Sequence, residues 1–177
     1  MNENKELKFQ KLKICILTIS SSRELSDDKS GDVLEERILG FGHELFERKI
    51  TKDNKDSIKN IIINWSKDKE IDVIITSGGT GLTETDITPE ALEEIFEKTI
   101  PGFSVIFHNI SFNKIKTSTI QSRATAGILM ETFIFALPGS PSAAKDGWDE
   151  ILRYQLDSRH KPCNFVEILP RLKEIVD

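Results

Sequence analysis

Thr76 to Leu92 (TSGGTGLTETDITPEAL) carry the residue types best suited to chemistry in this chain. Gly78, Gly79 and Gly81, with Thr80 between them, let the backbone approach a ligand closely and leave amide N–H groups free to point at it. The apolar run Ile71-Asp72-Val73-Ile74-Ile75 before them reads as a buried strand. Thr88-Pro89-Glu90 after them reads as an N-cap, a proline at the first helical position and an acid in the first turn. A helix N-terminus adds partial positive charge, so strand, loop and helix together suit a phosphorylated small molecule. Two familiar phosphate loops do not fit. A Walker A loop needs Gly-Lys before Ser or Thr, and no lysine lies between Ser77 and Ala91. In the dinucleotide fingerprint, Gly79 and Gly81 fall in place but Glu84 takes the sixth position, where close helix–strand packing wants no side chain.

The acids of this stretch raise a separate question. Glu84, Asp86 and Glu90 cluster where a phosphate would sit, and unit charges a few ångströms apart repel by about 4 kcal/mol at a partly shielded site. Either these acids point away or a divalent cation stands between them and the ligand. Magnesium does this with one or two carboxylates plus substrate phosphates. Asp86, between the loop and the helix start, is the metal-ligand candidate, and its alternative is a capping role. Glu90 reads as a surface residue favoured by the helix dipole.

The rest of the chain must position that loop. Leu12–Ile19 reads as a first strand ending in Ser20-Ser21-Ser22-Arg23. Asp28 to Asp32 opens a helix with Val33, Leu34, Ile38 and Leu39 at helical spacing. A strand over Glu44–Ile50, a helix stripe of Ile58, Ile61, Ile62 and Trp65, and a helix over Pro89–Lys98 follow. Pro101 starts a helix, Thr132–Leu137 forms a strand ending in Pro138-Gly139-Ser140-Pro141, and a last helix covers about Ser142 to Leu156. Strands alternating with helices predict one α/β domain: a three-layer α/β/α fold with a mainly parallel, doubly wound sheet. Residues 1–11 read as a polar N-terminal extension and 12–172 as the domain. In such sheets ligands sit beyond the C-terminal strand ends, which here offer Ser20 to Ser22, the glycine loop and Pro138-Gly139-Ser140. Ordinary turn chemistry explains any one of these loops; a site is favoured by their convergence at one end of the sheet.

Composition narrows the function. Twenty-four basic and 29 acidic residues give a net charge of −5, which argues against a nucleic-acid binder. Cys15 lies in an apolar run, Cys163 is distant, and no Cys-x-x-Cys spacing suggests zinc. The N-terminus has no apolar signal region and no apolar run approaches a membrane span, so a cytoplasmic protein is expected. The three histidines, His43, His108 and His160, show no evident partner, and no Ser-His-Asp or Cys-His constellation stands out.

The stretch GGTGLTETDITPEAL resembles the glycine-rich motif of the molybdenum cofactor biosynthesis family that includes MoaB and MogA. DDKSGDVL, PGFSVIFHNISF, TSTIQSRATAGI, TFIFALPGSP and QLDSRHKPCNFVEILPR resemble blocks of that family in the same order, the last being closer to the MoaB branch. The resemblance implies a molybdopterin-binding fold assembled as a homotrimer or homohexamer. For MogA-type members it also implies transfer of adenylate from ATP to molybdopterin, for use by a downstream molybdenum-insertion enzyme. By position, Asp86 matches the family's catalytic aspartate and Asp53 a second acidic position, where MoaB-type relatives often carry glutamate. Ser30, Gly31 and Asp32, Ser122 and Arg123, and Pro138 to Ser140 match blocks lining the family's pocket. For Arg123 a phosphate contact and a subunit-interface salt bridge both stay open. A molybdopterin phosphate that is already ionised needs only alignment, donors and magnesium to attack ATP. The competing readings are a non-catalytic carrier of the same pathway and a dinucleotide-dependent oxidoreductase, which Glu84 disfavours.

Overall fold

A computed structural model describes residues 2–3 and 6–172; residues 1, 4 and 5 of the expected extension lie outside the described residues. The strands are β1 (Asn2–Glu3), β2 (Lys13–Ile19), β3 (Glu44–Thr51), β4 (Val73–Ser77), β5 (Lys98–Thr99), β6 (Thr125–Leu129), β7 (Thr132–Leu137) and β8 (His160–Lys161). The helices are α1 (Lys29–Phe41), α2 (Lys55–Ser66), α3 (Thr88–Glu93), α4 (Pro101–Ile115), α5 (Pro141–Gly147), α6 (Arg153–Gln155) and α7 (Leu169–Leu172). A π-helical turn, Trp148–Leu152, joins α5 to α6. Six strands form one sheet in the order β3-β2-β4-β7-β6-β5. The pairs β3–β2, β2–β4 and β4–β7 are parallel, while β7–β6 and β6–β5 are antiparallel. β1 and β8 make a separate antiparallel pair.

The near-continuous apolar reading of β2 follows from burial on both faces. Ile14 and Ile16 pack with Leu34 and Ile38 of α1, Phe103 and Phe107 of α4, and Ala144 of α5. Cys15 and Leu17 face the opposite layer, with Ile58, Ile62 and Trp65 of α2 and Ala91 and Leu92 of α3. Each fully buried aliphatic side chain here contributes about 1.5–3 kcal/mol. This is the expected three-layer, mainly parallel architecture. Burial pushes the Cys15 thiol up to about 12, so it is a core residue rather than a nucleophile. No helix among the described residues is long and apolar enough to cross a membrane.

Several boundaries differ from the sequence reading. The strand before the glycine loop, β4, is Val73–Ser77, not Ile71–Ile75, because the small polar Thr76 and Ser77 are themselves fully buried between neighbouring strands. Thr88 is not an N-cap: Ile87 holds that position, and the buried Thr88 hydroxyl donates to the Gly78 carbonyl at 2.9 Å. The helix expected to reach Lys98 stops at Glu93, where Ile95 and Phe96 both turn back to the Leu92 carbonyl, and Lys98 enters β5. The sequence reading has no strand at Thr125–Leu129, yet β6 lies there, paired to β7. Two histidines have partners: His43 Nδ1 accepts from the Leu12 amide, and His108 bridges two carbonyls.

One buried carboxylate ties the first strand to the first helix. Asp28, fully buried, is the N-cap of α1 and accepts from Thr18 Oγ1 at 2.7 Å, Ser30 Oγ at 3.0 Å, the Gly31 amide at 3.0 Å and Arg48 Nη2 at 3.0 Å. Burial pushes its pKa up, but the Gly31 amide, Thr18, Arg48 and Ser30 together hold it below the usual carboxylate range. A depressed folded pKa stabilises the protein above the unfolded value of about 3.9, and that stability is lost as pH falls through the folded pKa. Asp28→Asn is therefore expected to cost about 2–4 kcal/mol in urea denaturation at neutral pH. The cost should shrink towards pH 3; an unchanged difference at both pH values would remove the ionised Asp28 from this role.

Candidate active site

The four parallel strands end together: Ile19 faces Thr51, and Ser77 pairs with both Thr18 and Leu137. The connection from β2 runs through α1 to β3 on one side, and that from β3 runs through α2 to β4 on the other. β2 and β4 therefore flank the point where the winding reverses, and a crevice opens there. The cavity, about 570 Å³, is lined by Ser20 to Arg23 after β2, Asp53 after β3, Gly78 to Gly81 with Thr85 and Asp86 after β4, and Pro138 to Ser140 after β7. Gln121 and Ser122, preceding β6, close its rim.

Two glycines are fixed by geometry. Gly78 has φ +107°, and a Cβ there would collide with the Ile19 carbonyl oxygen of the neighbouring strand. Gly79 has φ +63°, and a Cβ would run into the Thr88 hydroxyl. The loop is pinned from several sides. The Gly78 amide donates to the Leu137 carbonyl, the Gly79 carbonyl accepts from the Thr88 amide, and the Thr80 carbonyl accepts from the Arg123 amide. The Gly79 and Thr80 N–H groups donate to no acceptor among the described residues. Two free amides beside a glycine-built concavity form an anion-binding surface.

The charged lining is sparse. Asp86 Oδ2 accepts from the Thr83 amide at 3.0 Å and the Thr83 hydroxyl at 2.6 Å. Partial burial pushes the Asp86 pKa up, but Thr83, the Gly81 amide and the charge of Arg123 leave it below the ordinary value, so the group is a carboxylate at neutral pH. Asp53 accepts from Ser21 Oγ at 2.6 Å, and its own amide donates back to that oxygen at 3.2 Å. Arg23, with Nη1 on the Gly139 carbonyl at 3.1 Å, is the basic side chain of the lining. Among the described residues, no group of three or more His, Cys, Asp or Glu side chains converges as a metal cage. The cleft thus offers backbone donors, one guanidinium and two carboxylates, with no activated serine, cysteine or lysine.

The domain family described as "Probable molybdopterin binding domain" matches residues 15–158. The chain belongs to this molybdopterin-binding family. Molybdenum cofactor biosynthesis protein B of Escherichia coli K12 is 42% identical over 157 residues, covering 89% of this chain and 92% of that protein. A protein of Methanocaldococcus jannaschii named "Probable molybdopterin adenylyltransferase" is 37% identical over 145 residues, covering 78% and 86%. A crystal structure of molybdenum cofactor biosynthesis protein B superposes with a TM-score of 0.84 at 32% identity, covering 93% of this chain and 97% of that one.

Of the residues singled out in the sequence of this family member, the structure brings Ser20, Asp53, Gly78, Gly79, Thr80, Gly81, Asp86, Ser122, Pro138, Gly139 and Ser140 to one cleft. Ser30, Gly31 and Asp32 lie elsewhere. Ser30 and Gly31 are buried on Asp28, and Asp32 pairs with Arg48 at 2.8 Å. Arg123 also stays out of the lining. Its guanidinium braces the glycine loop, donating to the Gly81 carbonyl at 2.7 Å, to the Asp86 carbonyl and to Glu90. Within this chain its guanidinium is occupied by these partners, and Glu90, an exposed surface residue as read from the sequence, is one of them. Sequence reasoning passed over Arg23 and Gln121 as site residues. Arg23 was legible as the basic residue closing the first strand-end loop; Gln121 carries no local signal.

The close approach at Gly78 gives a stability test. Gly78→Ala is expected to destabilise the fold by about 2–4 kcal/mol, lowering Tm by roughly 5–10 °C. A Tm within about 1 °C of the parent would contradict the contact with Ile19.

Proposed function

We propose that this chain binds molybdopterin and ATP in the switch-point cleft and transfers the adenylyl group to the molybdopterin phosphate. The observation that carries the reading is the pair of free loop amides in a cleft also lined by two carboxylates and one arginine. An oxygen of the terminal phosphate monoester attacks the α-phosphorus of ATP, and the bond to the bridging β-phosphate oxygen breaks, releasing pyrophosphate. The attacking oxygen is already ionised, so no protein base is needed. The Gly79 and Thr80 amides are placed to donate to non-bridging phosphate oxygens as charge shifts during transfer. Arg23 supplies a guanidinium fork for the phosphate chain, held in place by the Gly139 carbonyl. Ser140 caps α5 through the Ala143 amide and presents its hydroxyl at the rim.

Asp86 and Asp53 would repel a triphosphate unless a cation stood between them. Two carboxylates without a third protein ligand suit a magnesium ion that completes its coordination with substrate phosphates and water. Such an ion would neutralise charge on the phosphates during transfer. The reading includes residues 12–172 as the working domain, cytoplasmic location and a downstream metal-insertion enzyme as consumer of the product. It also includes a homotrimer or homohexamer, which draws support from Val105, Ile106, Phe112 and Ile115 on the exposed side of α4. The carrier reading keeps one observation in its favour: both bonds from Thr83 to Asp86 are what a purely structural turn would need.

Turnover separates the two. Purified protein with molybdopterin, ATP and magnesium should yield adenylylated molybdopterin and pyrophosphate. Asp86→Asn should abolish that product while pterin affinity stays within about tenfold. Pterin binding without product in the parent protein would leave the carrier reading; normal turnover by Asp86→Asn would remove the metal role of Asp86.

A further inference from the structure

One guanidinium closes the turn that carries Asp86. Between Gly81 and Asp86 the residues Leu82 to Thr85 are exposed, Leu82 to 66%, so packing does little to fix their path. Inside the turn, the Asp86 amide donates to the Thr83 carbonyl at 3.0 Å, and the Asp86 carboxylate accepts from the Thr83 amide and hydroxyl. Arg123, from the segment before β6, ties both ends of the turn. Its Nε donates to the Gly81 carbonyl at 2.7 Å and its Nη2 to the Asp86 carbonyl at 2.5 Å. Its backbone amide holds the Thr80 carbonyl, one residue before Gly81. Nη1 is anchored on Glu90 in the first turn of α3. Paired with Glu90 and outside the cleft lining, the guanidinium offers a substrate no free charge; what it supplies is geometry.

We propose that Arg123 is a positioning residue for adenylyl transfer: bridging the Gly81 and Asp86 carbonyls from its anchor on Glu90, it fixes the Asp86 carboxylate relative to the Gly79 and Thr80 amides. The assignment rests on the adenylyltransferase reading of the cleft and on Asp86 as a metal ligand. A phosphate held by the loop amides and a cation held by Asp86 must keep register, and a misplacement of about 1 Å can cost about 100-fold in rate. Lysine would keep a charge opposite Glu90 but lacks the planar fork that reaches two carbonyls and a carboxylate at once. Glu90 is the second member of the same device.

The test compares the full chain with Arg123→Lys and Glu90→Ala in three readings. These are kcat with both substrates saturating, affinity for manganese-ATP by electron paramagnetic resonance, and affinity for molybdopterin by fluorescence. Arg123→Lys should lower kcat about 30-fold or more and weaken manganese-ATP about tenfold, while molybdopterin affinity stays within about twofold. Glu90→Ala, at an exposed position, should move the first two readings the same way by about three- to tenfold. In an Arg123→Gln background it should add less than about twofold, because the two residues act as one unit. Parent-like kcat and manganese-ATP affinity in Arg123→Lys would overturn the assignment. So would a loss confined to molybdopterin, or an equal loss in all three readings, which is what general loosening of the fold produces. A parent chain that binds manganese-ATP but makes no product would sink the adenylyltransferase reading. The manganese-ATP affinity of Arg123→Lys then still decides whether Arg123 sets Asp86, a weakened value upholding that role and an unchanged one removing it.

Discussion

The backbone of Gly78 passes against the Ile19 carbonyl oxygen with a φ of +107°, leaving no room for a side chain, and the geometry of the cleft follows from that contact. It sets how closely the loop after β4 approaches the end of β2 at the point where the sheet winding reverses. Gly139, on the other side, meets the Cα of Gly78 at the position its own Cβ would take, so the loop after β7 is drawn against the same backbone. Three strand-end loops are thereby packed main chain to main chain. Arg123 then locks the far side of the glycine loop to the segment before β6 through its own amide and its guanidinium. What emerges is a rigid rim whose free donors are backbone amides, which need no rotamer to be ordered when a ligand arrives.

Charge is distributed to match. The chain is acidic overall, and the cleft lining holds two carboxylates against one guanidinium. That balance is unfavourable for a bare triphosphate and favourable for one that arrives with a divalent cation. Two further arginines outside the lining are committed elsewhere, Arg48 to Asp28, Asp32 and Glu35, and Arg123 to Glu90. The ion pairs on Arg48 also tie β3 to the start of α1, which Asp28 in turn joins to Thr18 near the end of β2.

Much of this was legible in the sequence because its signals are local. Buried strands such as β2 announce themselves as apolar runs, and Gly-Gly-Thr-Gly after a strand points to a backbone-lined ligand site without any knowledge of the neighbours. The losses have physical reasons. Thr76 and Ser77 looked like loop because they are polar, but they sit between two parallel neighbours where small side chains fit. β6 lacks a clear period-2 pattern and exists because β7 offers it a partner. The helix after the glycine loop ends early because Phe96 folds over Gly127 in β6, a contact distant in sequence. Among site residues, Arg123 read as a phosphate ligand by type, yet its direction depends on Gly81, Asp86 and Glu90 around it. Ser30 and Gly31 read as pocket residues by motif, yet serve the buried carboxylate of Asp28.

The account stands on the loop amides being the phosphate-binding donors. The most direct measurement is the amide resonance shift of Gly79 and Thr80 in ¹⁵N-labelled protein as magnesium-ATP is titrated to saturation. Large shifts at these two amides, with little change at the already bonded Gly78 amide, are the predicted result. Saturable binding that leaves the Gly79 and Thr80 resonances in place would contradict it and move the phosphate site off the glycine loop.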